Sequence, residues 1–135
     1  MLRTLKQLSL SILAIQLFGC TDHPITSVFP KTDDLLLHRA AEHGDLETVK
    51  RLVSSGANKN ITAGEWRDTP LHRAVLYNHK EVIIFLINSE AELNIIDRVG
   101  GTVMDDAIFW NEKPIIELLR SRGAQTAEEL GSKTP

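Results

Sequence analysis

The stretch TPLHRAVLYN, residues 69–78, carries a helix start and a histidine whose role decides what kind of protein this is. Thr69 can cap a helix N-terminus with its hydroxyl. Pro70 then takes the first helical position, where a missing amide donor costs nothing. The helix so begun is expected to run to about Asn78. His72, between Leu71 and Arg73, could be a catalytic base, a metal ligand or a piece of scaffold. The stretch by itself does not choose among the three.

The choice comes from the surrounding sequence, which repeats itself. LLHRAAEHGDLETVKRLVSSGAN begins at Leu36, PLHRAVLYNHKEVIIFLINSEAE at Pro70 and VMDDAIFWNEKPIIELLRSRGAQ at Val103, at offsets of 34 and 33 residues. Ala40, Ala74 and Ala107 align, as do Leu52, Leu86 and Leu119, and Ala57, Ala91 and Ala124. Val82, Ile83, Leu86 and Ile87 form the apolar stripe of a second helix in the middle unit. Gly56 and Gly123 follow the second helices of the outer units, where a left-handed residue ends a helix at little cost. Glu90 stands at that place in the middle unit, a local strain of about 1 kcal/mol. A period near 33 residues marks stacked helix pairs, each burying its apolar face on the next.

With TPLHRA, GDLETVKRLVSSGAN and GAQT in register, residues 34–126 resemble the ankyrin repeat family. The resemblance implies an all-α solenoid of about three helix-turn-helix repeats (34–68, 69–101 and 102–126) joined by β-hairpin loops, with a C-terminal cap and tail at 127–135. The first repeat begins at its helix, without a Thr-Pro, as terminal capping repeats do. The third has Met104-Asp105 where the family has leucine and histidine. The resemblance also implies that Thr69, Pro70, His72 and the equivalent His38 are structural. A histidine here bonds the backbone and the capping threonine, and so ties adjacent repeats together.

An enzyme would need a constellation of reactive side chains, and the sequence offers none: no G-x-S-x-G elbow, no H-E-x-x-H pair and no phosphate loop. His38, Glu42 and His43 come nearest to a metal pattern, but five-residue spacing sets the two histidines on different faces of a helix. Asp105, Asp106 and Glu112 are expected to be surface residues of an irregular last repeat. No catalytic residue, metal or cofactor is expected. A formal charge of −3 without a basic stripe argues against a nucleic-acid surface.

The single cysteine, Cys20, rules out an internal disulfide. It follows MLRTLKQLSLSILAIQLFG, in which Arg3 and Lys6 precede a mostly apolar run from Leu8 to Phe18. That run is shorter than the about 20 residues a spanning helix needs, and has the length of a secretory signal core. LFGC at residues 17–20 resembles the lipobox of bacterial lipoproteins. The resemblance implies removal of residues 1–19 as a signal peptide and lipidation of Cys20; an uncleaved signal anchor is the alternative. Residues 20–33 then read as the lipidated cysteine and a tether. Thr21, where aspartate would favour the inner membrane, implies the periplasmic face of the outer membrane.

The ankyrin resemblance implies binding of a protein partner through the loop tips and through two exposed positions near the end of each first helix. Those pairs are Glu42–His43, Leu76–Tyr77 and Phe109–Trp110. His43, Tyr77 and Trp110 are expected to form an aromatic stripe along the concave face. The other outcome for Phe109 and Trp110 is packing under a cap formed by TAEEL. Trp66 and Arg67 fall in the first hairpin, Arg98 and Val99 in the second, and Arg39 and Arg73 on the hairpin side of the groove. Tyrosine and tryptophan are the residues most enriched in interface hot spots. An envelope address joined to a binding module without an active site leads to an immunity protein. It would inhibit an envelope-acting toxin, such as a type VI secreted phospholipase, by occlusion. The alternatives are an ankyrin scaffold or protector of a resident periplasmic enzyme, and a small hydrolase.

Overall fold

The computed structural model describes residues 31–131. Cys20, the signal, the lipobox and nearly all of the tether lie outside them. Six helices come in three successive pairs: α1 (Thr32–His43) with α2 (Leu46–Ser54), α3 (Pro70–Leu76) with α4 (Lys80–Asn88), and α5 (Val103–Phe109) with α6 (Lys113–Ser121). A short α7 (Ala127–Gly131) follows. Helix α1 starts at Thr32, ahead of the expected boundary at 34, with Lys31 before it and Asp33 and Asp34 in its first turn. Acidic side chains there suit the positive end of the helix dipole.

The first helices stack on one another, α1 on α3 and α3 on α5, and each packs on its own second helix. Small residues make the close approach possible: Ala40, Ala41, Ala74 and Ala107 are all buried. Leucines, isoleucines and valines of the second helices fill the other side of the core, with Val49, Leu52, Val82, Ile83, Leu86, Ile115 and Leu119 buried. The joining loops carry little β-structure. Among the described residues a single antiparallel bridge, Ala63 with Asp68, represents the expected hairpins.

Helix α3 ends at Leu76 rather than near Asn78, because Asn78 turns left-handed (φ 57°). Gly44 (φ 72°) and Asn111 (φ 55°) do the same between the helices of the other two repeats, and Gly and Asn are the residues that tolerate this conformation best. Gly44 has a second constraint: a Cβ there would collide with the ring of His79. That ring sits close because its Nε2 bonds the Glu42 carbonyl at 2.8 Å, joining repeat one to repeat two. At the far end of the second helices Gly56, Glu90 and Gly123 are all left-handed, the glutamate at φ 61°.

Polar side chains form a second set of ties. The amide that follows each closing alanine donates to an oxygen supplied from elsewhere: Asn58 to Asp34 Oδ1 (2.7 Å), Glu92 to Asn60 Oδ1 (2.8 Å) and Gln125 to Asn94 Oδ1 (2.8 Å). Asn60 and Asn94 belong to the preceding repeat. Asp34, buried at the start of α1, fills the place that a preceding repeat would have filled.

Candidate functional site

His72 is 2% exposed and sits at the third position of α3. Thr69 accepts from the His72 amide at 3.3 Å, and its own amide donates back to His72 Nδ1 at 3.3 Å. The Thr69 hydroxyl lies 2.8 Å from the same nitrogen. Nδ1 is therefore the acceptor and the proton of the neutral ring is on Nε2. Burial pulls the His72 pKa below its usual value, against the carboxylates of Asp97 and Asp68 and the carbonyls of Gly101 and Ile95. Nε2 has no hydrogen bond of full geometry among the described residues. The imidazole is thus buried, neutral and bonded to its own helix cap.

His38 has no capping threonine beside it and bonds Asp68 instead. Its Nε2 reaches Asp68 Oδ1 at 2.9 Å and the Asp68 carbonyl at 3.2 Å, across the joint between repeats. Asp68 is buried, and burial raises its pKa; the hydrogen bond from His38 and the charge of Arg73 outweigh that and hold it below the usual range. Arg73 Nε stands 2.6 Å from Asp68 Oδ2 as an ion pair, although its N–H is not aimed in hydrogen-bond geometry. Its Nη1 lies 4.0 Å from Glu42. Arg73, expected on the hairpin side of the groove, lines the cavity, but its side chain is only 14% exposed and its charge is engaged within the repeats.

The expectation that Asp105 and Asp106 are surface residues is corrected: both are partly buried. Asp105 replaces the family histidine in its capping role, accepting from the Thr102 amide and from the Ala127 amide, both at 2.9 Å. Burial opposes ionisation, but these amides and the Thr102 hydroxyl hold its pKa below the usual value. Asp106 is half-buried, with its pKa pushed up to about 6 by burial and then by the charges of Asp97, Asp105 and Asp68. Its carboxyl has no hydrogen bond or ion pair among the described residues. Glu112 is half-buried at the helix turn and accepts from Asn78 Nδ2 at 2.9 Å.

Asp106 borders a cavity of about 280 Å³ between the loop tips and the first helices. Trp66, Asp97 and Val99 form the loop side; His72, Arg73, Leu76 and Tyr77 form the helix side. Of the predicted binding residues this brings together Trp66, Arg73, Leu76 and Tyr77. The rings of the expected stripe make separate local contacts. Tyr77 stacks on His79 (centroids 6.4 Å apart), whereas Trp110 meets Phe109 edge-on (5.1 Å). Among the described residues no ring contact joins the two pairs. Phe109 and Trp110 are 77% and 51% exposed and do not pack under α7 as core residues. Arg39 and His43 are exposed on α1, away from the cavity lining. Arg67 and Arg98 line a second hollow at the loop tips with Ile96 and Asp97. The Arg98 amide donates to the Trp66 carbonyl at 2.8 Å and its Nη1 to the Glu65 carbonyl at 3.2 Å, so one tip supports the next.

Stacked helix pairs with an exposed groove and an internal ladder of polar ties define a protein-interaction solenoid. A profile described as ankyrin repeats (3 copies) matches residues 37–129, and the chain belongs to that family. It is similar to mouse Rabankyrin-5 (Mus musculus), 36% identical over 98 residues, 72% of this chain and 8% of the relative. It is 36% identical over 85 residues to serine/threonine-protein kinase 12 of Arabidopsis thaliana, covering 63% of this chain and 18% of that protein. The NF-kappa-B inhibitor cactus of Drosophila melanogaster is 33% identical over 92 residues, 67% of this chain and 18% of its own length. The chain thus spans less than a fifth of each of these relatives, and what they share with it is the repeat array.

Proposed function

We propose that this chain is a lipid-anchored, periplasm-facing binding protein that inhibits an envelope-acting toxin by occlusion, without catalysis of its own. The observation that carries the binding half is the groove, where Trp66 on the loop side faces Tyr77 and Leu76 on the helix side, the two aromatics each 49% exposed. Half-exposed aromatics cost solvation in the free protein and gain most when a partner covers them. An ankyrin chain in the role of inhibitor has a parallel by name in cactus. The envelope half rests on the charged start, apolar run and LFGC ending at Cys20. A type VI secreted phospholipase is the kind of target that arrives at the membrane and must be captured there. Guarding the outer membrane from its periplasmic face suits that task.

The test is to direct the product of the adjacent gene to the periplasm, with and without this protein. Protection is expected from the parent, and its loss from Trp66→Ala/Tyr77→Ala. Truncating one central aromatic should weaken binding about thirtyfold, mostly through faster dissociation. Equal survival with and without the protein overturns the immunity role. Stable association with a resident periplasmic enzyme would instead assign it as scaffold or protector.

A further inference from the structure

The groove is acidic where it is not apolar, and its charges are unequally compensated. Asp68 has Arg73 and His38 beside it. Asp97 and Asp106 have no lysine or arginine within ion-pair distance among the described residues. Asp97 Oδ1 accepts from the amides of Val99 (3.0 Å) and Gly101 (2.9 Å), which fixes the carboxylate in place and leaves Oδ2 without a partner. Asp106 has no partner at either oxygen. His72 also lines the cavity, buried, with its ring near the carbonyls of Gly101 and Ile95. The surrounding wall is Trp66, Leu76, Tyr77 and Val99.

We propose that this groove receives an arginine side chain of the protein partner, seated against Trp66 and Tyr77 with its guanidinium between Asp97 and Asp106. The proposal rests on the protein-binding reading and names the chemistry of the bound surface. A volume of about 280 Å³ is at the small end of ligand pockets and suits one long side chain rather than a whole helix. The occupant is cationic because two carboxylates there lack a counter-charge. It is not a metal ion: among the described residues no three carboxylate, imidazole or thiol groups converge closely enough to hold one. Arginine fits better than lysine. Its flat guanidinium is weakly hydrated, lies on aromatic faces and gives several donors at fixed angles to carboxylate oxygens, whereas an ammonium retains its water more strongly.

A peptide probe tests this on the full chain. An acetylated, amidated hexapeptide with one arginine between two leucines is titrated against isotope-labelled protein and followed by NMR. Its control carries neutral citrulline in place of the arginine. The expected result is a set of shifts confined to Trp66, Tyr77, Asp97 and Asp106, with binding at least about tenfold weaker for the citrulline peptide. Asp106→Asn should weaken the arginine peptide about fivefold and leave the citrulline peptide unchanged; Asp106→Glu should restore part of the difference. Asp106 makes no hydrogen bond, so these variants are expected to fold, and the unshifted spectrum of the core checks it. Equal binding of the two peptides, shifts on another face, or no shift up to about 10 mM peptide overturns the proposal. Arginine binding in the groove without protection from any toxin overturns the immunity role and leaves this site standing. Protection that is unaffected by Asp106→Asn does the reverse.

Discussion

Burial and the carboxylates of Asp97, Asp105 and Asp68 push Asp106 up to about 6, so at neutral pH it is ionised in a place that favours the proton. The folded-state value lies above the unfolded one. Asp106 therefore favours folding below about pH 4, and that contribution is lost as pH rises through about 6. Asp106→Asn should be more stable than the parent at about pH 7.5, by on the order of 1 kcal/mol once solvent screening of a partly open group is allowed for. The gap should close towards about pH 4. Urea melts at both pH values measure it, and a gap that is the same at both refutes the argument. His72 has the opposite sign. Its pKa is lowered by burial, so the neutral ring contributes stability above its usual value that is lost as pH falls through the lowered one. His72→Ala should cost roughly 1–3 kcal/mol at neutral pH, because the Thr69 cap loses its partner. A variant with an unchanged thermal midpoint but no function would return His72 to chemistry.

At the scale of the helix pair, stability is borrowed from neighbours. Helix α3 lies between α1 and α5, and the buried faces of Leu71, Ala74 and Met104 exist only in the stack. A chain ended after Asp97 loses α5 to α7 and the Asn94 tie to Gln125. It should lose its cooperative thermal transition by circular dichroism, since a repeat buries its apolar face on the next one. A sharp melt near the parental midpoint would show that two repeats suffice. The same distinction between local and distant determinants explains what could be read from sequence. The Thr69-Pro70 start, the left-handed Gly56 and Gly123 and the strained Glu90 were legible because helix ends depend on residues a turn apart. Asp34, Asn60 and Asn94 were not, because each is recognised only by an amide 24 to 32 residues away. Asp105 misled for a related reason. A charged residue reads as surface until the fold shows the Thr102 and Ala127 amides beside it, and the Asp68 partner of Arg73 was hidden in the same way. The groove itself was half legible. Trp66, Leu76 and Tyr77 were picked out by position, whereas Asp97 and Asp106 enter it only through the stacking of repeats two and three.

For the whole molecule, the proposed address and the groove answer different parts of one problem. A groove that admits one side chain, with a few aromatics around it, gives modest affinity by itself, because association must first overcome lost freedom of motion. Attaching the binder to the membrane confines it to the layer where a lipid-attacking enzyme must dock, and raises its effective concentration there without adding a contact. Several acyl chains at ~0.8 kcal/mol per buried methylene make such an anchor effectively permanent. Affinity and protection should therefore separate when the anchor alone is removed. Cys20→Ser lies outside the repeats at 37–129 and should leave the dissociation constant for the partner, measured in solution, unchanged within about twofold. It should abolish uptake of labelled palmitate, move the protein out of the membrane fraction and reduce survival under toxin expression. Palmitate uptake that persists in Cys20→Ser removes the lipoprotein proposal. Full protection by a soluble, unlipidated chain leaves the groove as inhibitor but shows that membrane attachment plays no part in its action.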